Sequence, residues 1–348
     1  MKLFVNHLNH LHAGRMEMHR GQLVPCVESS ARLESVLKAL HERGFDTPVP
    51  VEPDATALAS VLPRIHDARY LSFLEAAWDK WVAQDPQRAD QDLLPDVWPT
   101  RGMRQDRIPE NFAAQVGYYA FDSGSPITAG TWTAAYQGAA CAVAAAQAVA
   151  AGEPAAAVLT RPPGHHAGPD FFGGYCFLNN GALAAQTLLD SGLKRVAILD
   201  VDYHHGNGTQ AIFEARSDVL TLSIHGDPKT EYPFFLGHTD ERGVGLGTGH
   251  NRNWPLPHGT SSTLWFDALT QACAEVQAWN AQALVVPLGL DAYVHDPISG
   301  FTLSSADFLR VSQMLHDLRL PTVITLEGGY ATAALGTNAA NALAAFRG

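Results

Sequence analysis

What most constrains this chain is an alternation that begins near residue 131. Stretches with helical spacing of apolar residues are each followed by a short apolar run of strand type: 131–151 by 156–160, 180–190 by 196–200, a short helix near 210–215 by 219–225, 262–280 by 283–288, and 305–318 by 322–326. A helical crossover returns the next strand parallel to the last. The order therefore predicts an α/β fold, a central and mostly parallel sheet flanked by helices on both faces. Residues 2–6 read as a further strand, and helices are expected from Ser30 to Gly44 and from Ile65 to about Trp81. No Gly/Ser linker and no internal repeat interrupts 1–348, which predicts a single domain. From 85 to 109 the sequence is rich in Pro, Asp and Arg without periodicity, the pattern of a long surface excursion.

The ends of those strands carry chemistry. The buried-type run Val196-Ala197-Ile198-Leu199 turns abruptly into Asp200, Asp202, His204 and His205. Acids and imidazoles at the carboxyl end of a parallel strand mark a ligand crevice. Asp202 and His204 are two apart, so extended backbone points both to one side. With Asp291, which follows 283–288, they offer a metal two carboxylates and an imidazole and leave a position open, as catalytic zinc requires. Such a metal polarises a carbonyl and acidifies its bound water. His165 and His166, after 156–160, supply general-base candidates. Tyr330, after Gly328-Gly329, supplies a hydroxyl for a developing oxyanion. Each feature has an ordinary reading alone: two histidines, a strand-end hydrogen-bond network, a glycine turn. Together, on four strand ends, they describe metal-assisted amide hydrolysis.

Composition narrows the setting. The 348 residues are 46% hydrophobic and 17% charged, an ordinary globular balance. A formal net charge of −12 argues against a nucleic-acid surface and favours the approach of cationic substrates. Cys26, Cys141, Cys176 and Cys273 form no CxxC pair, the usage expected in a reducing cytoplasm. Residues 1–5 are too short an apolar run for a signal peptide. The alanine-rich stretch 134–151, interrupted by Gln137, Gly138 and Gln147, reads as a buried helix and not as a membrane span. His7, His10, His12 and His19 crowd an N-terminal loop and read as ordinary loop histidines. A cytoplasmic protein with neither nucleic acid nor membrane as partner is expected.

Ordered blocks then carry a resemblance. IHDARYL at 65–71, RPPGHHAG at 161–168, GGYCFLNN at 173–180, DVDYHHGNGT at 200–209, LGLDAY at 288–293 and LEGGY at 326–330 resemble the histone deacetylase family, whose single α/β domain is shared with arginases. Within it, GQLVPCVES at 21–29, QVGYYAFD at 115–122, SPITAGTW at 125–132 and HGDPKTEYPFFLG at 225–237 are most similar to the bacterial acetylpolyamine amidohydrolases. The resemblance implies Zn2+ on Asp202, His204 and Asp291, a set that Fe2+ or Co2+ also accepts. It implies a general base at His166, with His165 beside it as an electrostatic or acid partner, and a transition-state hydroxyl at Tyr330. Asp200 would orient His165. Asn207, where many relatives carry Asp, would accept from His166 but lacks the charge that stabilises an imidazolium. Gly174 would offer its carbonyl to the substrate amide, and Tyr175 and Tyr232 would wall a narrow channel. Structural K+ is implied at Asp200, Asp202 and His204 with Ser223 and the Ile224 backbone, and again around Phe213, Arg216 and Val219. A homodimer, or dimer of dimers, built through the 85–109 excursion is implied too.

The expected function is zinc-dependent deacetylation of small cationic amines such as acetylputrescine or acetylcadaverine. Two rim acids of the polyamine pattern are replaced here, one by the stretch Asn111-Phe112-Ala113-Ala114 and the other by Gly124. Glu17 survives as a substrate-binding candidate, and Glu110 and Asp122 lie close in sequence. The alternative is a protein lysine deacetylase or deacylase with the same metal centre. A two-manganese arginase-type hydrolase would need further carboxylate and histidine ligands, and the surroundings of Tyr293 oppose it. A non-catalytic binding protein is opposed by the complete set of ligands and the tyrosine. Cys176, beside the channel, is expected to be a buried, inert thiol.

Overall fold

The computed structural model describes residues 1–98 and 102–347; residues 99–101 of the expected excursion, and Gly348, lie outside the described residues. The strands are β1 (Lys2–Val5), β2 (Met16–His19), β3 (Gln22–Pro25), β4 (Val49–Pro50), β5 (Ala155–Leu159), β6 (Val196–Asp200), β7 (Val219–Gly226), β8 (Asn251–Leu256), β9 (Ala283–Leu288) and β10 (Thr322–Leu326). β2 and β3 form a separate antiparallel hairpin. The other eight make one sheet in the order β4-β1-β5-β10-β9-β6-β7-β8, and every pairing in it is parallel. All their carboxyl ends therefore share one edge. At its middle, side by side, lie β5, β10, β9 and β6, the four strands followed by His165-His166, Tyr330, Asp291 and Asp202/His204.

The helices are α1 (Ser30–Glu42), α2 (Ala55–Ile65), α3 (Ala68–Gln84), α4 (Phe112–Tyr119), α5 (Thr131–Ala150), α6 (Asn180–Asp190), α7 (Asn207–Phe213), α8 (Ser262–Ala278), α9 (Asp307–His316) and α10 (Thr332–Ala342). Strand side chains alternate between two layers. Val196 and Ile198 of β6 join the core under α2 to α6, while Ala197 and Leu199 join the core under α1, α8, α9 and α10. The alanine-rich α5 is buried along most of its length, because small side chains let it lie close to the sheet and to α6. Among the described residues no helix is long and apolar enough to cross a membrane.

The expected helix opening at Ile65 is corrected. Ile65 ends α2, the chain breaks at His66–Asp67, and α3 starts at Ala68 with the Asp67 carboxylate accepting from Arg69 N. In α2, Leu58, Val61, Leu62 and Ile65 bury one face, and Asp54 caps the start by accepting from Thr56 and Ala57 amides. Pro63 in its last turn masks this pattern in sequence. The excursion is tethered as well: Pro86–Asp90 forms a 3-10 turn, and Leu93 bridges to Ile127.

Distant segments meet at one buried carboxylate. Glu28 accepts from Arg161 Nε (2.9 Å) and Nη2 (2.5 Å) and from Arg32 Nη1 (2.8 Å). Arg161 also donates to the Asn9 carbonyl, at 2.5 Å. Arg32 donates through Nε to the Gly329 carbonyl (2.6 Å) and through Nη2 to the Glu327 carbonyl, and its guanidinium stands 4.7 Å from the centre of the Tyr330 ring. This hub ties the N-terminal segment to the loops leaving β5 and β10. Burial alone would raise the Glu28 carboxyl, but the guanidiniums of Arg161 and Arg32 outweigh it and hold the group at about 2.

A depressed carboxyl adds stability that is fully present above its ordinary pKa of 4.5 and is lost as pH falls toward about 2. Glu28→Gln leaves two buried guanidiniums short of an anion and is expected to cost about 3–5 kcal/mol in urea unfolding at neutral pH. The gap between wild type and variant should close as the pH drops below 4.5. A gap that stays constant into acid would show that the charge of Glu28 is not what the arginines require.

Candidate active site

The loop leaving β6 sets Asp202 and His204 over the centre of the sheet edge, and the loop leaving the neighbouring β9 brings Asp291 against them. His204 Nδ1 is 3.0 Å from Asp291 Oδ2 and 3.3 Å from Asp202 Oδ1, and one ligand atom from each residue lies within 4.8 Å of the others. Backbone amides brace the carboxylates: His204 N and Gly328 N donate to Asp202 at 2.9 and 2.8 Å, and Tyr203 N donates to Asp291 at 2.9 Å. Glycine makes this crowding possible. A Cβ on Gly328 would stand 2.5 Å from Asp202 Oδ2 and 2.6 Å from Asp291 Oδ2. Burial and the charge of Asp202 push the Asp291 carboxyl up to about 7, a conflict that a cation between them removes. Two buried carboxylates and an imidazole, with His204 lining a cavity, suit a divalent ion that keeps one position for an exchangeable ligand.

Beside this cluster stand the two histidines of the loop after β5. His165 Nδ1 is 2.9 Å from Asp200 Oδ2, and His166 Nδ1 is 2.7 Å from Asn207 Oδ1. An amide oxygen only accepts, so His166 carries its proton on Nδ1 and leaves Nε2 as the basic nitrogen. The ring centres are 4.0 Å apart, too close for two positive charges. Burial would lower His165, but the carboxylates of Asp202 and Asp200 prevail and raise it to about 10. Burial, then the charges of His165 and His204, push His166 well below its ordinary value.

Other buried groups hold that loop. Glu327, at the end of β10, accepts from Gly164 N (2.6 Å), His165 N (3.1 Å) and the Thr325 hydroxyl (2.8 Å). Its closeness to His165 and Cys176 is thus that of a brace. His66 donates through Nδ1 to the Gly168 carbonyl (2.7 Å) and accepts from Asn179 N at Nε2 (3.0 Å), a role that demands the neutral form; burial lowers it to about 4.

A cavity of about 510 Å³ leads to the cluster, with His166, His204 and Tyr330 in its lining. Its walls are aromatic. The Tyr232 ring centre is 5.2 Å from that of His166, Phe121 stands 5.8 Å from Tyr232, and Tyr175 stands 5.7 Å from Tyr330. Hydrogen bonds hold the walls: Asp122 Oδ2 accepts the Tyr232 hydroxyl (2.6 Å) and Gly174 N (2.7 Å), and Glu17 accepts the Tyr175 hydroxyl (3.0 Å). Gly174 has φ +54, and a Cβ there would meet His166 Cδ2 at 2.2 Å. Its carbonyl accepts from the Cys176 thiol at 3.3 Å, and burial keeps that thiol well above its ordinary pKa.

The residues expected at the centre and along the channel therefore gather around one cavity. Ser223 pairs in register with Asp200 and places its hydroxyl 2.7 Å from His225 Nδ1. Phe213, Arg216 and Val219 lie outside the cavity, at the turn between α7 and β7, where Arg216 pairs with Asp218. Sequence reading did not assign roles to Phe121, Asp122, His66, Glu327 or the Glu28–Arg32 pair. Signals were present: Phe121 and Asp122 close the QVGYYAFD block, His66 belongs to IHDARYL, and Glu327 to LEGGY. Only long-range contacts distinguish these from ordinary residues.

The histone deacetylase domain family matches residues 26–346. Acetylpolyamine amidohydrolase 1 of Pseudomonas aeruginosa is 48% identical over 339 residues, 97% of this chain and 96% of that protein. The acetylpolyamine amidohydrolase of Mycoplana ramosa is 44% identical over 343 residues, 99% of this chain and 98% of that protein. The crystal structure of acetylpolyamine aminohydrolase from Burkholderia pseudomallei matches with a TM-score of 0.92 at 39% identity, over 99% of this chain and 98% of the other. The HDA15 HD domain, at 24% identity and a TM-score of 0.80 over 100% of this chain and 91% of the other, shares the fold. With the domain match spanning nearly its whole length and relatives approaching half-identity from end to end, the chain belongs to the histone deacetylase family.

Proposed function

We propose that this protein is a zinc-dependent amidohydrolase that deacetylates small acetylated polyamines of the acetylputrescine and acetylcadaverine type. The observation that carries the reading is the buried Asp202–His204–Asp291 set opening into a cavity walled by aromatic rings. Full-length similarity to proteins named acetylpolyamine amidohydrolases supports the choice of substrate. Asp202, His204 and Asp291 hold the metal, which when bound polarises the scissile carbonyl and acidifies water. Zn2+ fits these ligands, as do Fe2+ and Co2+.

The chain's own groups do the rest. His166 Nε2 takes the proton of the attacking water, and Asn207 keeps Nδ1 protonated and the ring aimed. His165, held cationic by Asp202 and by its hydrogen bond to Asp200, offsets negative charge and serves as the acid partner for the leaving amine. Tyr330 donates its hydroxyl to the oxyanion. Its backbone is fixed by Asp296, which accepts from Tyr330 N at 2.6 Å and Ala331 N at 3.2 Å. The Gly174 carbonyl receives the substrate amide N–H, Tyr175 and Tyr232 flank the methylene chain, and Glu17 contributes negative potential. Structural K+ would be held by Asp200, Asp202 and His204 with Ser223 and the Ile224 backbone, and a second ion by Phe213, Arg216 and Val219, where it would neutralise charge and brace the loops. A homodimer through the excursion covers Val97 and Phe235, exposed apolar residues that line the cavity's mouth, with the neighbouring Trp98. The enzyme works in the cytoplasm.

Tyr330→Phe is expected to lower kcat about 10²–10³-fold with little change in KM, the signature of a bond made in the transition state. Chelation should abolish turnover and added zinc should restore it; activity that survives both chelation and loss of the hydroxyl would sink the mechanism. For wild type, kcat/KM on acetylputrescine should exceed that on an acetyl-lysine peptide by about tenfold or more. Equal or faster cleavage of the peptide would establish a protein deacylase instead.

A further inference from the structure

Among the described residues three carboxylates line the cavity: Glu17, Asp122 and Glu231. Two of them are already engaged. Glu17 accepts the Tyr175 hydroxyl on one oxygen and Val27 N on the other. Asp122 accepts Gly124 N and the Ser125 hydroxyl on Oδ1, and Gly174 N and the Tyr232 hydroxyl on Oδ2. With its oxygens filled in this way, Asp122 builds the wall and has little left for a substrate.

Glu231 differs. Among the described residues no backbone amide donates to it, and the polar side chains that face it are Tyr203 and His258. Its one ion-pair partner there is His258, with Nδ1 3.4 Å from Oε1. The His258 side chain is 67% exposed, and so open an imidazole, outside hydrogen-bond geometry, binds an anion weakly. The Tyr203 ring and Glu231 crowd the same spot: a Cβ on Gly226 would lie 2.8 Å from Glu231 Cγ and 2.9 Å from Tyr203 Cζ, and burial and then the Glu231 carboxylate raise the Tyr203 hydroxyl above its ordinary pKa. The Glu231 side chain is only 20% exposed, so a carboxylate with one neutral hydroxyl beside it and no buried cation is held in partial burial facing the cavity. That is unfavourable unless a cation arrives.

An acetylated diamine with its amide at His166 and Tyr330 must place its free ammonium farther along the same cavity. We propose that Glu231 is the specificity-determining anion that receives this distal ammonium, an inference that rests on the polyamine reading of the site. Glu231 and the channel wall Tyr232 belong to one turn, closed by Phe234 N donating to the Glu231 carbonyl at 3.0 Å. The group that grips the methylene chain and the group that reads its charge are thus one rigid piece. Arg20 and His19 line the same mouth from the exposed hairpin turn, where solvent screens them.

The test compares zinc-loaded wild type with Glu231→Gln on acetylputrescine and on N-pentylacetamide, an uncharged amide of the same length. The ratio of kcat/KM for the two substrates should fall about tenfold in the variant, through KM of the cationic substrate, as expected for loss of one charge-assisted contact. Glu231→Asp, which keeps the charge, should retain part of that ratio, and it serves as the test if the Gln variant does not fold. A ratio unchanged in the variants, whether both rates fall or neither does, overturns the assignment. Wild type that hydrolyses neither amide would instead overturn the deacetylase reading beneath it, a result told apart by the wild-type rates alone.

Discussion

Like charges gathered at the carboxyl edge of the parallel sheet are the constraint to which the rest of the structure answers. Asp200, Asp202, Asp291 and Glu327 are all buried there, at the ends of the adjacent strands β6, β9 and β10. Buried carboxylates this close are tolerable only when donors and cations surround them. The chain supplies His165, His204 and a set of backbone amides, and a divalent ion on Asp202, His204 and Asp291 would complete the balance. Glycines at 289 and 328 follow from the same crowding, since a Cβ at either would fall within 2.6 Å of a carboxylate oxygen.

Farther out, the histidine pair and Tyr330 are held by residues packed behind them. Glu327 grips the amides of the histidine loop, His66 ties that loop to the start of α6, and Arg32 binds the carbonyls on which Tyr330 rides. Asp122 joins two walls by accepting from Tyr232 and from Gly174. The channel owes its shape to hydrogen bonds between loops more than to the helices, so its walls can change while the Asp202–His204–Asp291 cluster stays intact. A narrow aromatic channel suits a slender methylene chain, and acidic groups along it suit the cation at its far end.

Much of this was legible residue by residue. The core strands and the helices between them carry clear periodicity, and α6 falls on the expected residues 180–190. The centre was legible because parallel strands deliver their polar ends to a common edge, so adjacent motifs had to meet. What escaped was governed by weaker local signals. α2 is masked by Pro63, the β2–β3 hairpin and β8 are partly exposed and carry polar residues and proline, and α4 is short. Their positions are decided by packing and capping that a local window does not contain.

By itself the sequence determined the layered α/β class, the faces that each strand presents and the residue types available at each strand end, because these follow from local periodicity and side-chain chemistry. The tertiary structure decided which strands adjoin. The order β5-β10-β9-β6 brings together residues as far apart as His165 and Tyr330, and no local pattern encodes that neighbourhood. It also decided which acids are free. Asp122 and Tyr232 are 110 residues apart, and only their contact shows that this carboxylate is committed to the wall, while no backbone amide among the described residues holds Glu231. Hydrogen-bond satisfaction is a property of three-dimensional surroundings, and two acids that look alike in a sequence acquire different work from the partners the fold brings to them.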